Sequence, residues 1–572
     1  MKLTKKIIKR LGIVVFYDRD GMVDDYVLFM LESLKEATEE IIIVSNSALN
    51  EEEQKKLAKF TNKLKIRENR GLDAGAFKEV YLEYQNYIKS FDELVLLNDT
   101  FYGPFLPFKD IVKAMEEKDI DFWGLTANYE SPNGFENLSD KSIASHIQTF
   151  FIAFRNNVLN SEAFNQYWEK YDIKKMQTFE NVVTKHEITF THYLEKAGYK
   201  WDIYTNLEKY HSKHIEENYN YYAYASYDLI KNYNCPFIKR KNFVFEKKDA
   251  FYLTNGDDTK KSLEYLEKNH LYNTNLIWKN ITRLYTPWEI YYGLNLNYIV
   301  QEKKVSSISY TILLILENEK YLSYYSDFIL ANDDLNIHVM TTNKKIKKEL
   351  EKIKIKQTSK ETFNWKNYQY IGIIKDDYFY NIPIPLVYEN NWNAIKQNGF
   401  ANSDYINGIL DLFKRKVYLG MLILPVCFHG EYFSIHSKPE TTIPANENAC
   451  WIKSELFNWK LIEQKDFIQK YMKDLDNKNL VVAKIHNENE IDTQLINSEY
   501  VIHKTFNQLK ENHIIGRTLN DYLYNIKHTI CLMQGKNSLR VYLIKLTKKL
   551  HIYNFLKKIK SSLQKKSKKD GY

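Results

Sequence analysis

Three short apolar runs and one short mixed strand in the first hundred residues break off on polar residues and hand over to sequence of another period. This alternation limits the fold more than any other feature. The runs are residues 13–17, 41–44, 65–68 and 94–97. They stop on Asp18, on Ser45-Asn46-Ser47, on Asn69-Arg70-Gly71-Leu72-Asp73-Ala74-Gly75, and on Asn98-Asp99. After the first run Val23, Tyr26, Val27, Met30, Leu31 and Leu34 recur at helical spacing. Further helices are expected over about 50–62 and 76–88. Strands alternating with helices give an α/β fold, a doubly wound, mostly parallel sheet with right-handed crossovers. In such sheets ligands bind outside the carboxyl ends of the strands, so the polar stops form a candidate binding mouth.

Strands are expected again at 122–125 and 149–154, and the polar segment 129–141 reads as a loop over the mouth. A helix at 184–197, closed by Gly198, carries the stripe Phe190, Tyr193, Leu194 and Ala197. From Ser309 the pattern restarts, with strands at 310–316, 337–340 and 370–374 and an aspartate, Asp376, in the place of Asp99. This reads as a divergent internal repeat. Its third turn, Gln357-Thr358-Ser359-Lys360-Glu361-Thr362, has no glycine, so a second mouth of the same chemistry is not expected. The expected domains are 1–245, an α/β domain carrying the binding mouth; 246–305, a helical connector; 306–460, a degenerate second α/β domain; and 461–572, a helical C-terminal region with a basic tail.

At 572 residues the chain exceeds a single core. Its net charge of +8 is local: residues 540–572 hold eleven Lys/Arg and one Asp, +10, leaving about −2 for the rest. A near-neutral body argues against a nucleic-acid-binding protein. In the tail Ile552, Phe555, Leu556, Ile559 and Leu563 recur at helical spacing among lysines, which suits an interfacial helix on an anionic membrane; the plainer alternative is a solvated tail. The cysteines, Cys235, Cys427, Cys450 and Cys531, lie far apart with no CxxC pair, so a reducing compartment is the default. The apolar run ending at Asp18 is too short for a signal peptide or membrane span. A cytoplasmic protein, peripheral on the inner face of the cell membrane, is expected.

Within the mouth, Gly71 and Gly75 allow a left-handed turn and close backbone approach, and Asp73 offers a carboxylate to a ribose or base edge; the same residues also make an ordinary β–α turn. Asn98 and Asp99 end the fourth strand, where a carboxylate-held Mg²⁺ or Mn²⁺ could neutralise a leaving diphosphate. The alternative for Asp99 is an Asx turn. Glu187 shares the inward helix face with Phe190 and Leu194 and is the candidate general base; Thr184-Lys185-His186-Glu187 also fits a capping box. Gln148 precedes a strand, where it meets the acceptor or only satisfies backbone groups. His211 and His214 are spaced for one helix face but lack a third metal ligand. No P-loop, nucleophile elbow or GxGxxG fingerprint is present.

Together these segments resemble the rhamnan synthesis F family of bacterial glycosyltransferases. The carrying residues are Phe16-Tyr17-Asp18 with Gly21 and Asp25-Tyr26; Glu68 through Gly75; Leu97-Asn98-Asp99-Thr100 with Gly103-Pro104-Phe105; Phe122-Trp123-Gly124; His146 through Phe151; Glu187 with Gly198; and Pro236-Phe237-Ile238-Lys239. The resemblance runs over about 1–245 and continues through Ile423-Leu424-Pro425, His429-Gly430-Glu431-Tyr432 and Trp451. It implies a GT-A-like domain that transfers a deoxysugar, typically rhamnose from dTDP-rhamnose, to a lipid-linked cell-surface polysaccharide with inversion. Asp18, Asn69 and Asp73 would hold the nucleoside, Asn98 and Asp99 the diphosphate, and Gln148 with the 129–141 loop the acceptor. The family's His-Asp-Lys after the second-half strand is here Lys375-Asp376-Asp377, which makes that half a degenerate copy. The alternative function is a non-catalytic scaffold binding polysaccharide or nucleotide sugar.

Overall fold

The structure, a computed structural model, describes residues 2–488 apart from 4, 6, 131–142, 208–220, 244–256, 305–307, 377–384, 426–442, 444 and 465. The basic tail, His211, His214 and nearly all of the 129–141 loop lie outside the described residues. The chain divides into two compact units, Met1–Asn295 and Leu296–Tyr572.

The first unit is built on a seven-stranded sheet. β1 (Arg10–Phe16) lies between β2 (Glu40–Ser45) and β4 (Glu93–Asn98), parallel to both, and β3 (Leu64–Ile66) extends the β2 edge. On the other side β9 (Phe151–Arg155) runs antiparallel between β4 and β6 (Phe122–Gly124), and β10 (Trp201–Ile203) closes the edge parallel to β6. β1 and β4 are buried along their whole length because helices cover both faces, so they read as continuous apolar runs. Helix α1 (Asp25–Lys35) buries Tyr26, Val27, Met30, Leu31 and Leu34, the stripe expected from its spacing. Each fully buried aliphatic side chain there contributes about 1.5–3 kcal/mol. Helix α2 (Glu51–Leu57) starts at Asn50, whose side chain accepts the Glu53 N–H. Helix α3 (Leu72–Glu83) begins directly on the glycine turn, four residues earlier than its apolar spacing indicated.

The segment expected as a connector is built into this unit. Its helices include Asp257–Lys268 and Asn275–Leu284. Arg283 pairs with Asp18, Asp20 and Asp24, and Asn280 is hydrogen-bonded to Tyr102 and Asp24. The ion pairs are intramolecular staples that periodicity cannot reveal.

The second unit repeats the first. Its strands are β12 (Asn297–Val300), β13 (Tyr310–Ile315), β14 (Ile337–Met340), β15 (Tyr370–Lys375), β16 (Leu419–Ile423), β17 (Ala449–Lys453) and β18 (Val481–Asn487). The sheet order is β12-β18-β16-β17-β15-β13-β14. From β18 to β14 it matches β10-β6-β9-β4-β1-β2 in order and in the sense of every pairing. A lone parallel bridge, Val339 to Gln357, stands where the first unit has β3. β18 lies within 461–572, a stretch read as helical. Its seven residues are all buried, with β12 and β16 as flanking strands, so packing decides its conformation. Among the described residues no helix is long and apolar enough to cross a membrane.

Candidate functional site

A cavity of about 430 Å³ opens at the carboxyl ends of β1 and β4. That volume suits a small-molecule ligand, and the place is the crevice where the sheet changes direction. Asn69, Asp73, Asn98, Asp99, Gln148 and Glu187 all line it.

The glycine turn supplies one wall. Gly71 takes φ +67° and Leu72 follows at φ +53°. A left-handed leucine costs about 1–2 kcal/mol, so something must hold it. Asn46 does: its amide donates to the Leu72 carbonyl at 3.1 Å and to Asn69 Oδ1 at 3.0 Å. Arg67 in turn donates to Asn46 Oδ1 at 2.7 Å and to the Arg70 carbonyl at 2.7 Å, and pairs with Glu79. The turn thereby delivers Asp73 on the first turn of α3. Its Oδ2 accepts from the Asn98 amide at 2.5 Å. Burial pushes the Asp73 carboxyl up, Asn98 and the Ala74 N–H oppose this, and the Glu187 charge adds to the rise.

Glu187 lies on a helical run over 179–196 whose middle turn, Val183–Glu187, is wound as π-helix. Such turns re-aim side chains and recur at functional sites. The capping box is not formed. The helix starts at Thr178, which accepts the Asn181 N–H, and the Thr184 hydroxyl donates to the Glu180 carbonyl. Glu187 Oε2 instead accepts from the N–H and the hydroxyl of Thr149, at 3.1 and 3.0 Å. Gln148 is held by Thr126, whose hydroxyl donates to Oε1 at 2.8 Å, and donates to Asn128 at 3.2 Å.

Sequence reasoning missed the cationic wall. β5 (Phe101–Tyr102) follows Asp99 and pairs antiparallel with β11 (Ile238–Lys239), which sets Lys239, Arg240 and Lys241 against the fourth-strand end. Asp99 is engaged on both oxygens: Oδ2 accepts from Arg240 Nη1 at 2.6 Å and Tyr26 Oη at 2.8 Å, and Oδ1 from the Tyr17 N–H at 3.3 Å. Burial raises its carboxyl, with Arg240 and Tyr26 opposing. Lys239 is buried; its Nζ lies 3.1 Å from the centre of the Phe150 ring and makes no hydrogen bond or ion pair among the described residues. Burial pushes its ammonium well below the usual value; Lys241 adds to this, and Glu187 and Asp73 oppose it.

Three expected residues do not line the cavity. Both Asp18 oxygens bond Arg283, and Oδ1 also accepts the Asp20 and Met22 N–H groups. Burial raises its carboxyl, but these partners outweigh it and hold it below the ordinary value. Gly71 shapes the turn rather than facing the cavity, and Gly75 lets α3 approach it: a Cβ at Gly75 would lie 2.3 Å from the Arg70 carbonyl oxygen. A Mg²⁺ or Mn²⁺ on Asp99 does not fit these surroundings, because the Arg240 guanidinium already occupies the cation's place. Among the described residues no group of three His, Cys, Asp or Glu side chains is set to hold a metal.

The family model described as rhamnan synthesis protein F matches residues 41–363, more than half of the chain. A curated relative, the uncharacterized protein y4gN of Sinorhizobium fredii (strain NBRC 101917 / NGR234), is 24% identical over 195 residues, 34% of this chain. The chain spans about half, 48%, of that relative's length. Among solved structures, core-mannan synthase A of Aspergillus fumigatus in its Mn/GDP form aligns at 10% identity and TM-score 0.18, over 28% of this chain and 63% of that one. The mannosyltransferase Ktr4p of S. cerevisiae aligns at 10% and 0.19, over 29% and 62%. The 4-diphosphocytidyl-2C-methyl-D-erythritol synthase of Anaerococcus prevotii DSM 20548 aligns at 11% and 0.22, over 34% and 86%.

Proposed function

The chain belongs to the rhamnan synthesis protein F family, and we propose that it is a glycosyltransferase moving a deoxysugar, rhamnose from dTDP-rhamnose, onto a lipid-linked cell-surface polysaccharide with inversion. The observation that carries this reading is a cavity in which a strained polar turn, a fourth-strand Asn-Asp, an oriented glutamate and a cluster of cations meet. Asn69 and Asp73 address the nucleoside. Glu187, oriented by Thr149, takes the proton from the acceptor hydroxyl as that oxygen attacks the anomeric carbon. The bond from that carbon to the diphosphate oxygen breaks on the opposite face, and charge developing on the leaving diphosphate must be stabilised in place. Gln148, held by Thr126 and Asn128, sits on the acceptor side. The basic tail carries the protein to the anionic inner face of the membrane.

The test is transfer from radiolabelled dTDP-rhamnose to lipid-linked acceptor extracted from membranes, with UDP- and GDP-sugars as alternative donors. The reading expects label in the extractable product with the deoxysugar donor. No transfer from any donor, with no thermal stabilisation by any, would overturn it; a ligand at 100 times its Kd should stabilise by about 2.7 kcal/mol.

A further inference from the structure

We propose that the donor's diphosphate is neutralised by the protein's own cations, Lys239 and Lys241, beside an Arg240 that is paired with Asp99, and that nucleotide binding requires no divalent metal. This rests on the nucleotide-sugar reading and specifies how that site meets the phosphates.

Two independent observations carry it. The first is that Asp99 is a structural residue. Its carboxylate takes the Tyr17 N–H from the loop after β1, so it ties the fourth strand's end to that loop. Asp376, at the same position after β15, accepts the Glu317 and Asn318 N–H groups at 2.7 and 3.0 Å from the loop after β13. Both copies of the fold use this aspartate to tie the two strand ends together, including the copy that lacks the glycine turn. In the first copy Arg240, also over the Tyr26 ring at 5.1 Å, takes the remaining charge of the carboxylate. A metal ion would have to displace a guanidinium paired at 2.6 Å.

The second is Lys239. The Lys239 amine rests on Phe150 with no carboxylate bonded to it among the described residues, so in a cavity that opens to solvent its charged form has no partner of its own. Buried charges are paired or they are costly, and an arriving diphosphate supplies the missing partner. Lys241 and Arg240 line the same wall, so the two phosphates meet cations on one side. Asp73 and Glu187 line the same cavity, and their charges favour the Lys239 ammonium.

The experiment measures binding of dTDP, UDP and GDP by calorimetry in excess EDTA and, separately, in excess Mn²⁺, alongside thymidine, which has no phosphate. The affinity for the preferred diphosphate should be the same in both buffers. Lys239→Met should weaken it about tenfold or more, as loss of a charge-assisted contact does, and leave thymidine binding unchanged. Lys241→Met, at a less buried position, should weaken it in the same sense and guards against a folding defect in the first variant. Binding that collapses in EDTA and returns with Mn²⁺ would overturn the inference while leaving the nucleotide-sugar reading intact. Equal losses of thymidine and diphosphate binding in both lysine variants would also overturn it. No binding of any nucleoside diphosphate in either buffer would overturn the underlying reading.

Discussion

Thr149 donates both its backbone N–H and its hydroxyl to one oxygen of Glu187, at 3.1 and 3.0 Å. This orients a carboxylate whose charge is felt at Asp73, and under the proposed function that carboxylate takes the acceptor's proton. Glu187→Gln keeps the shape and removes the base. Transfer should fall by about 10²–10⁴-fold, the usual weight of general-base catalysis, while donor affinity is retained. Thr149→Val should lower kcat and leave the donor KM unchanged. Steady-state kinetics with calorimetry on the same preparations checks both.

Gly75 and Gly198 differ in what confines them, so alanine should report different quantities. At Gly75 a Cβ meets the Arg70 carbonyl at 2.3 Å, whereas at Gly198, φ +94°, it meets nothing within 4 Å. Gly75→Ala should destabilise by about 1–3 kcal/mol through overpacking and weaken nucleotide binding by displacing the 69–73 turn. Gly198→Ala should cost about 1 kcal/mol of backbone strain and leave nucleotide affinity unchanged. Urea midpoints and a nucleotide titration distinguish them.

Arg283 holds three aspartates, Asp18, Asp20 and Asp24, and with them the segment that sequence alone reads as a connector. Arg283→Met leaves the nearly buried Asp18 charge uncompensated. The expected loss is about 2–4 kcal/mol, toward the low side for a broken buried pair because the arginine keeps some solvent contact. Adding Asp18→Asn should recover part of it. Failure of the double variant to recover any stability would contradict this account of the ion network.

His186 should give the first unit an acid-sensitive stability. It is buried among Tyr167, Trp168, Tyr171 and Phe190 and bonded to Tyr167 Oη at 2.7 Å. Burial holds its imidazole down at about 3 from an ordinary 6.5. The unfolded chain takes up this proton near the ordinary value and the folded chain does not. Stability is therefore full above about 6.5 and is lost as pH falls toward 3. At about 1.4 kcal/mol per unit, the step from pH 7 to 5 removes about 2 kcal/mol. His186→Gln should flatten the pH profile of the unfolding midpoint over this range.

What the sequence disclosed follows from what a strand or a helix must bury. β1, β2 and β4 sit inside a parallel sheet, so their apolar runs, and the polar residues that stop them, were plain; so was the second copy, down to Asp376. The stripe of α1 was plain for the same reason. Hidden were features made by distant contacts. Thr184 and Glu187 have capping-box spacing, but the helix starts at Thr178, and no local signal marks a π-turn at Val183–Glu187. Lys239 to Lys241 reach Asp99 only because β11 pairs with β5 across more than a hundred residues. Asp18 looks like a site residue until Arg283 arrives from the far end of the unit.

Hydrogen–deuterium exchange of the full chain with and without the nucleotide sugar tests the central claim most directly, because it locates the ligand without presuming the chemistry. The account expects protection in residues 69–75, 98–100, 148–150 and 239–241 of the first unit, and none at 357–376 in the second. Protection confined to the second unit, or ligand binding that leaves the Asn69 turn and the Lys239 strand unchanged, would contradict it.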